Sequence, residues 1–268
     1  MDDGQINSQL AVSADQPLGG VWALQQHRKL VSSQEIAFEG VENRPQSGLD
    51  FLLRDATPIE TSLTFWLQVN LAAKRLTDVV IAFAAITFLF PLLVLVALAI
   101  KLDSRGPVLF LQEREGLNGR AFRIFKFRSM VDKLGDASGI RHTVSGDQRL
   151  TKLGKFLRKT SIDELPQLFN IVLGDMSLVG PRPHVYDMRA GGQRYCDLVP
   201  YYGMRHAMKP GLTGWAQANG LRGDASDPDV AIRRIDHDVA YIQNFSWWLD
   251  VRCIGMTIKN EFLTGSGA

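Results

Sequence analysis

The chain reads as an α+β protein, mainly helical, seated in a membrane through one apolar, proline-kinked helix and carrying a small β-hairpin. Three observations predict this. Residues 79–100, VVIAFAAITFLFPLLVLVALAI, run for 22 positions without a charge. Residues 107–112 (PVLFLQ) and 121–127 (AFRIFKF) are short strand-like runs joined by a turn at Gly116 and Gly119. Residues 165–173 place apolar side chains at 165, 168, 169, 172 and 173, which is helical spacing. The composition agrees with a folded protein: 268 residues, 46% hydrophobic, 30 Lys and Arg against 28 Asp and Glu. Two cysteines, Cys196 and Cys253, are too few for a disulfide framework.

As a continuous helix, residues 79–100 would reach roughly 33 Å, enough for the hydrocarbon core of a bilayer. The run is apolar all round, whereas a surface helix of a soluble protein keeps a polar face. Its flanks are basic at both ends, with Lys74 and Arg75 before it and Lys101 and Arg105 after it. A simple span usually shows an asymmetry of cations. Pro91, near the middle, removes a helical hydrogen bond and crowds the preceding turn, so a kink is expected there. Paired basic flanks and a central proline suggest a segment that enters and leaves by one leaflet; a kinked ordinary span is the alternative. Residues 61–73, TSLTFWLQVNLAA, read as an interfacial lead-in.

The organisation expected is a weakly structured extension at 1–60, a lead-in and membrane helix at 61–105, a catalytic domain at 106–262 and a tail at 263–268. A short strand is expected near residues 35–38. Residues 1–60 carry four basic and nine acidic residues, while residues 101–160 carry 14 basic against 6 acidic. Such a basic stretch needs an anionic neighbour or a solvated face.

The chemistry concentrates in residues 157–184, LRKTSIDELPQLFNIVLGDMSLVGPRPH. Pro166 fits only near a helix start, which puts Asp163 near the N-cap and Gly174 at the stop. Ser161 and Glu164 also have capping-box spacing, so both carboxylates have a purely structural reading. The functional reading is that a carboxylate there keeps a low pKa and serves as nucleophile or metal ligand, beside cations that hold phosphate. Lys126 and Arg128 on the second strand, Arg158 upstream, and Arg182 between Pro181 and Pro183 are those cations. Two prolines restrict the backbone around Arg182 and preorganise its guanidinium. Lys209 opens a glycine-rich turn, KPGLTGW, that can approach a phosphorylated ligand closely. Helices are expected at 153–158 and 232–244, and Trp247 and Trp248 belong either in the headgroup layer or in the core. There is no Walker A loop, no HExxH and no CxxC, and the five histidines lack metal-ligand spacing.

The segments KRLTDVVIAF, SRGPVLFLQEREGLNGRAFRIFKFRSM, LRKTSIDELPQLFNIVLGDMSLVGPRP, KPGLTGWAQANG and YIQNFSWWLD, in that order, resemble the bacterial sugar transferases, the monotopic phosphoglycosyl transferases. The resemblance covers roughly residues 70–262. It implies transfer of a sugar 1-phosphate from a UDP-sugar, with glucose or galactose as the expected sugar, to polyprenyl phosphate, releasing UMP. It also implies Mg²⁺, ping-pong kinetics and a re-entrant helix kinked at Pro91. Many members have Ser before that proline, where this chain has Phe90. By this resemblance Asp163 is the nucleophile and Glu164 its partner at the metal, with Lys126, Arg158 and Arg182 close to the phosphates and nucleotide. The implied location is the bacterial inner membrane, with the catalytic part on the cytoplasmic face. The expected partners are the lipid bilayer and polysaccharide assembly proteins, not nucleic acid. A non-catalytic membrane scaffold is the rival reading.

Overall fold

The computed structural model describes residues 61–131, 147–221 and 227–264. The extension expected at 1–60, its strand near 35–38 and the final tail residues lie outside these. The lead-in and the apolar run form one helix, α1, Thr61–Asp103, with Pro91 inside it. Between Val80 and Leu98 its apolar side chains are largely open: Phe83, Phe88, Phe90 and Leu95 are all exposed. By length and composition this helix is able to cross a membrane.

Helix α1 is tied to the folded body on both sides of Pro91. Near its start, Arg75 donates to the carbonyls of Ile171 and Val172, at 2.6 and 3.1 Å. Near its end, Leu93, Val96 and Ile100 pack with Phe127 and Leu157 into one apolar cluster. Arg128 closes that end by donating to the Ser104 carbonyl at 2.7 Å and to the Ile100 carbonyl at 3.4 Å.

The hairpin is β1, Leu109–Glu115, antiparallel to β2, Ala121–Phe127. The first strand runs three residues beyond its expected end, because Glu113, Arg114 and Glu115 continue the register opposite Arg123, Phe122 and Ala121. Next come α2, Lys152–Lys159, whose Thr151 cap accepts from the Gly154 amide, and a 3₁₀ turn at Ile162–Glu164. Helix α3, Gln167–Leu173, ends on Gly174 in the left-handed conformation, as expected from its glycine.

Strand β3, Ser177–Val179, pairs in parallel with β6, Gly211–Thr213, a contact that no local pattern announces. It gives the glycines of the KPGLTGW turn a packing role. A Cβ on Gly211 would lie 2.1 Å from the Gly180 nitrogen, and one on Gly214 would lie 2.2 Å from the Gly180 oxygen. Between these strands lie the small hairpin β4–β5 (Arg189–Ala190 and Gln193–Arg194), the short helix α4 (Tyr195–Leu198) and a 3₁₀ segment, Tyr202–Ala207. The chain then forms α5, Trp215–Ala218, α6, Pro228–Gln243, and α7, Trp247–Thr264. Asp227 caps α6 by accepting from the Asp229 amide at 2.8 Å. Trp247 and Trp248 do not close the core: they are 40% and 70% exposed, and Trp247 Nε1 donates to Thr77 Oγ1 on α1.

A buried polar knot joins the base of α1 to β3 and the last two helices. Lys74 Nζ donates to Asp250 Oδ2 at 2.6 Å and to the Val179 carbonyl at 2.8 Å. Asp78 accepts from Ser177 Oγ and from the Leu178 amide, and Tyr241 donates to Asp250 at 2.6 Å. Breaking such a pair from one side leaves uncompensated buried charge. Lys74→Ala is therefore expected to destabilise the protein by about 3–5 kcal/mol. Thermal unfolding in lipid nanodiscs, followed by tryptophan fluorescence, checks this.

Candidate active site

Asp163 and Glu164 lie in the 3₁₀ turn before α3, and neither caps a helix. Ser161 sits in the left-handed region at φ 54°, no side chain caps the turn, and Pro166 occupies the N-cap of α3. The capping box allowed by the sequence is thus not formed. The left-handed Ser161 instead turns the chain so that the two carboxylates follow it directly toward β2 and the Pro-Arg-Pro segment.

The two acids have different surroundings. Glu164 Oε1 accepts from Lys126 Nζ at 2.8 Å and from Arg182 Nη2 at 2.7 Å, and Oε2 accepts from Arg182 Nη1 at 3.4 Å. Burial alone would raise its pKa, but these cations hold it well below the usual carboxylate range. Asp163 is 6% exposed and carries no hydrogen bond or ion pair to another side chain among the described residues. Burial pushes its carboxyl up to about 6, against the opposing pull of Lys126, Arg158 and Arg182. The expected low pKa is therefore not what this fold gives Asp163, because loss of water outweighs the nearby cations.

The cations come from distant parts of the chain. Lys126 is on β2, Arg158 on α2, and Arg182 stands between the buried Pro181 and Pro183 with its side chain 45% exposed. Asn170 fixes α3 against the strand: its Oδ1 accepts from the Phe125 amide at 2.9 Å, and its Nδ2 donates to the Arg123 carbonyl at 2.7 Å. This puts Lys126 beside Glu164.

Two of the expected phosphate ligands go elsewhere. Arg128 grips the end of α1, as described above. Lys209 lies at the opposite end of α3 from Asp163, its Nζ 3.8 Å from where a Cβ on Gly174 would stand, beside Arg75. Burial, and then Arg75, lower its pKa. Arg114, which sequence reasoning passed over, belongs with the site. It is partly buried, feels the charges of Arg182 and Glu164, and is pushed down to about 10, mainly by desolvation.

Among the described residues no group of three or more His, Cys, Asp or Glu could hold a metal ion. The donor set still fits Mg²⁺ in its common mode, in which one or two carboxylates share the ion with waters and substrate phosphates. Asp163, which bonds no other side chain among the described residues, and the adjacent Glu164 are the acids that would hold it.

Fold and site define a protein with a membrane-length helix bound to a body that holds two adjacent carboxylates within a ring of cations. The profile of the family described as bacterial sugar transferase matches residues 69–264, and the chain belongs to that family. It is 50% identical over 198 residues to the exopolysaccharide production protein PSS of Rhizobium leguminosarum bv. phaseoli, covering 74% of this chain and 99% of that protein. It is 50% identical over 195 residues to an undecaprenyl-phosphate glucose phosphotransferase of Komagataeibacter xylinus, covering 73% of this chain but 37% of that one. A UDP-glucose:undecaprenyl-phosphate glucose-1-phosphate transferase of Escherichia coli (strain K12) is 42% identical over 195 residues, with 73% and 41% covered. The match thus spans about two fifths of these two longer relatives.

Proposed function

We propose that this protein transfers a sugar 1-phosphate, glucose 1-phosphate first among candidates, from a UDP-sugar to undecaprenyl phosphate for exopolysaccharide synthesis. The observation that carries this reading is the division of labour between the two acids: Glu164 is pinned by Lys126 and Arg182, while Asp163 stands unpartnered among cations. The names of the relatives supply the donor and acceptor.

In this reading a carboxylate oxygen of Asp163 attacks the sugar-bearing phosphorus of the donor. The bond from that phosphorus to the oxygen of UMP breaks, and UMP leaves with the electron pair. An oxygen of undecaprenyl phosphate then attacks the same phosphorus, and the bond to Asp163 breaks. Lys126, Arg158 and Arg182 offset the repulsion between the carboxylate and the phosphates. Mg²⁺ held by Asp163 and Glu164 would supply charge neutralisation on the diphosphate. Release of UMP by the purified protein, measured over a panel of UDP-sugars, tests the reading. UDP-glucose is expected to be turned over fastest, and no release from any UDP-sugar would reject it.

The membrane helix serves this chemistry by holding the site where the lipid acceptor is confined. The body holds α1 at two places on either side of Pro91, at Lys74 and Arg75 and again at Leu93, Val96 and Ile100. A helix bent at Pro91 that returns to the cytoplasmic leaflet of the bacterial inner membrane accounts for this. The exposed Phe169, Leu173 and Trp248 suit that body to a lipid surface. Cysteines placed at Leu71 and Ser104 are expected to label from the cytoplasmic side alone; labelling from opposite sides would show a span instead.

A further inference from the structure

Four consecutive carbonyls, those of Pro181, Arg182, Pro183 and His184, are each hydrogen-bonded. The Gly211 amide donates to Pro181 O and the Glu115 amide to His184 O, both at 2.9 Å. The middle two are held by guanidinium groups. Arg114 Nη1 donates to Pro183 O at 3.3 Å, and Arg205 Nη2 donates to Arg182 O. Two prolines remove two N–H donors from this stretch, so its carbonyls are the means of fixing it.

Arg205 is itself fixed. Its Nε and Nη2 donate to Asp238 Oδ2 at 3.2 and 2.9 Å, and the two side chains are 2% and 4% exposed. Its guanidinium also lies 5.4 Å from the centroid of the Tyr202 ring. A buried ion pair adds little net stability, because desolvation offsets most of the attraction. What this pair does supply is a rigid donor at one chosen oxygen. That oxygen belongs to the residue whose guanidinium meets Glu164.

We propose that Arg205, oriented by Asp238, is a positioning residue that fixes the Arg182 backbone so that its guanidinium stays on Glu164 and over the donor phosphates. The inference rests on the transfer reaction proposed above. In this proposal Arg205 acts through the Arg182 backbone, so most of its effect is expected to vanish when the Arg182 guanidinium is gone.

The test is a double-mutant cycle on the full chain in nanodiscs, with UDP-glucose and undecaprenyl phosphate as substrates. Arg205→Lys keeps the charge opposite Asp238 but gives up the forked contact. It is expected to lower kcat/KM about tenfold or more, because small misplacements of a phosphate-binding group are costly. In an Arg182→Ala background the same change is expected to cost less than about twofold, the signature of coupled residues. Equal losses in both backgrounds would overturn the proposal. If Arg205→Lys does not fold, Asp238→Glu, which moves the acceptor by one methylene, goes through the same cycle. Amide hydrogen exchange of residues 180–188 gives a readout that needs no turnover: it is expected to quicken in the variant, and unchanged exchange there would overturn the proposal. If the wild type releases no UMP from any UDP-sugar, the transfer reading falls, and the exchange measurement still decides whether Arg205 holds the loop.

Discussion

Asp163→Asn is expected to abolish turnover in a normally folded, membrane-bound protein. An amide keeps the shape of the carboxylate but is no nucleophile, and removal of a nucleophile costs on the order of 10⁴-fold in rate or more. Stability should hardly change, because Asp163 caps no helix and bonds no side chain among the described residues. Relieving its burial as a charge should even favour the folded state slightly. The wild type should also lose kcat/KM as pH falls through about 6, where the buried carboxyl takes up its proton and can no longer attack. Its neighbour Glu164 stays ionised across that range, so it does not contribute to the loss. Initial rates of UMP release between pH 5 and 8 check both statements.

Glu164→Gln is expected to be the second most damaging change, and for a different reason. Among the described residues Glu164 is the acceptor that Lys126 and Arg182 share. The glutamine would leave two cations facing each other in a partly buried site. Burial already lowers the Lys126 pKa, and Glu164 is the main opposing influence, so the variant pushes Lys126 further toward its neutral form. A loss of about a hundredfold or more in kcat/KM is expected, equivalent to roughly 3 kcal/mol. A smaller fall in thermal stability than for a fully buried pair should accompany it, because Lys126 and Glu164 are only partly buried and Arg182 is 45% exposed. Arg182→Lys gives up one arm of a forked contact and should cost less, roughly ten- to hundredfold. Wild-type kinetics in Glu164→Gln would mean that the ion triad only shapes the surface.

The residues that converge at this site come from β2, α2, the turn before α3 and the Pro-Arg-Pro segment. Lys126, Asp163, Glu164 and Arg182 are visible in the sequence because their motifs occur in a recognisable order. What spacing alone cannot separate is capping from catalysis: Ser161-x-x-Glu164 looks like a capping box until Ser161 turns out to be left-handed. Cations pose the same problem. Arg128 and Lys209 sit in motifs as basic as those of Lys126 and Arg182, yet Arg128 binds helix-end carbonyls. Lys209 settles by the C-terminal end of α3, where the helix dipole favours positive charge. Asn170, Arg114, Arg205 and Asp238 left no signal, because each works through hydrogen bonds or ion pairs to residues far away in the sequence. Asn170 even interrupts no pattern, lying between the apolar positions 169 and 171 of α3. The helices at 153–158 and 232–244 were legible, within a few residues, from their sequence pattern, whereas their caps, Thr151 and Asp227, were not read there. The parallel pairing of β3 with β6 was not, since it joins two three-residue strands more than thirty residues apart.

The central claim is that Asp163 carries the sugar phosphate between donor and acceptor. Mass spectrometry of the protein incubated with UDP-glucose and Mg²⁺, without undecaprenyl phosphate, tests it most directly. A hexose-phosphate adduct on the peptide containing Asp163, discharged on adding undecaprenyl phosphate and missing in Asp163→Asn, is the result expected. Full turnover by Asp163→Asn, or an adduct carried on another residue, would contradict the account.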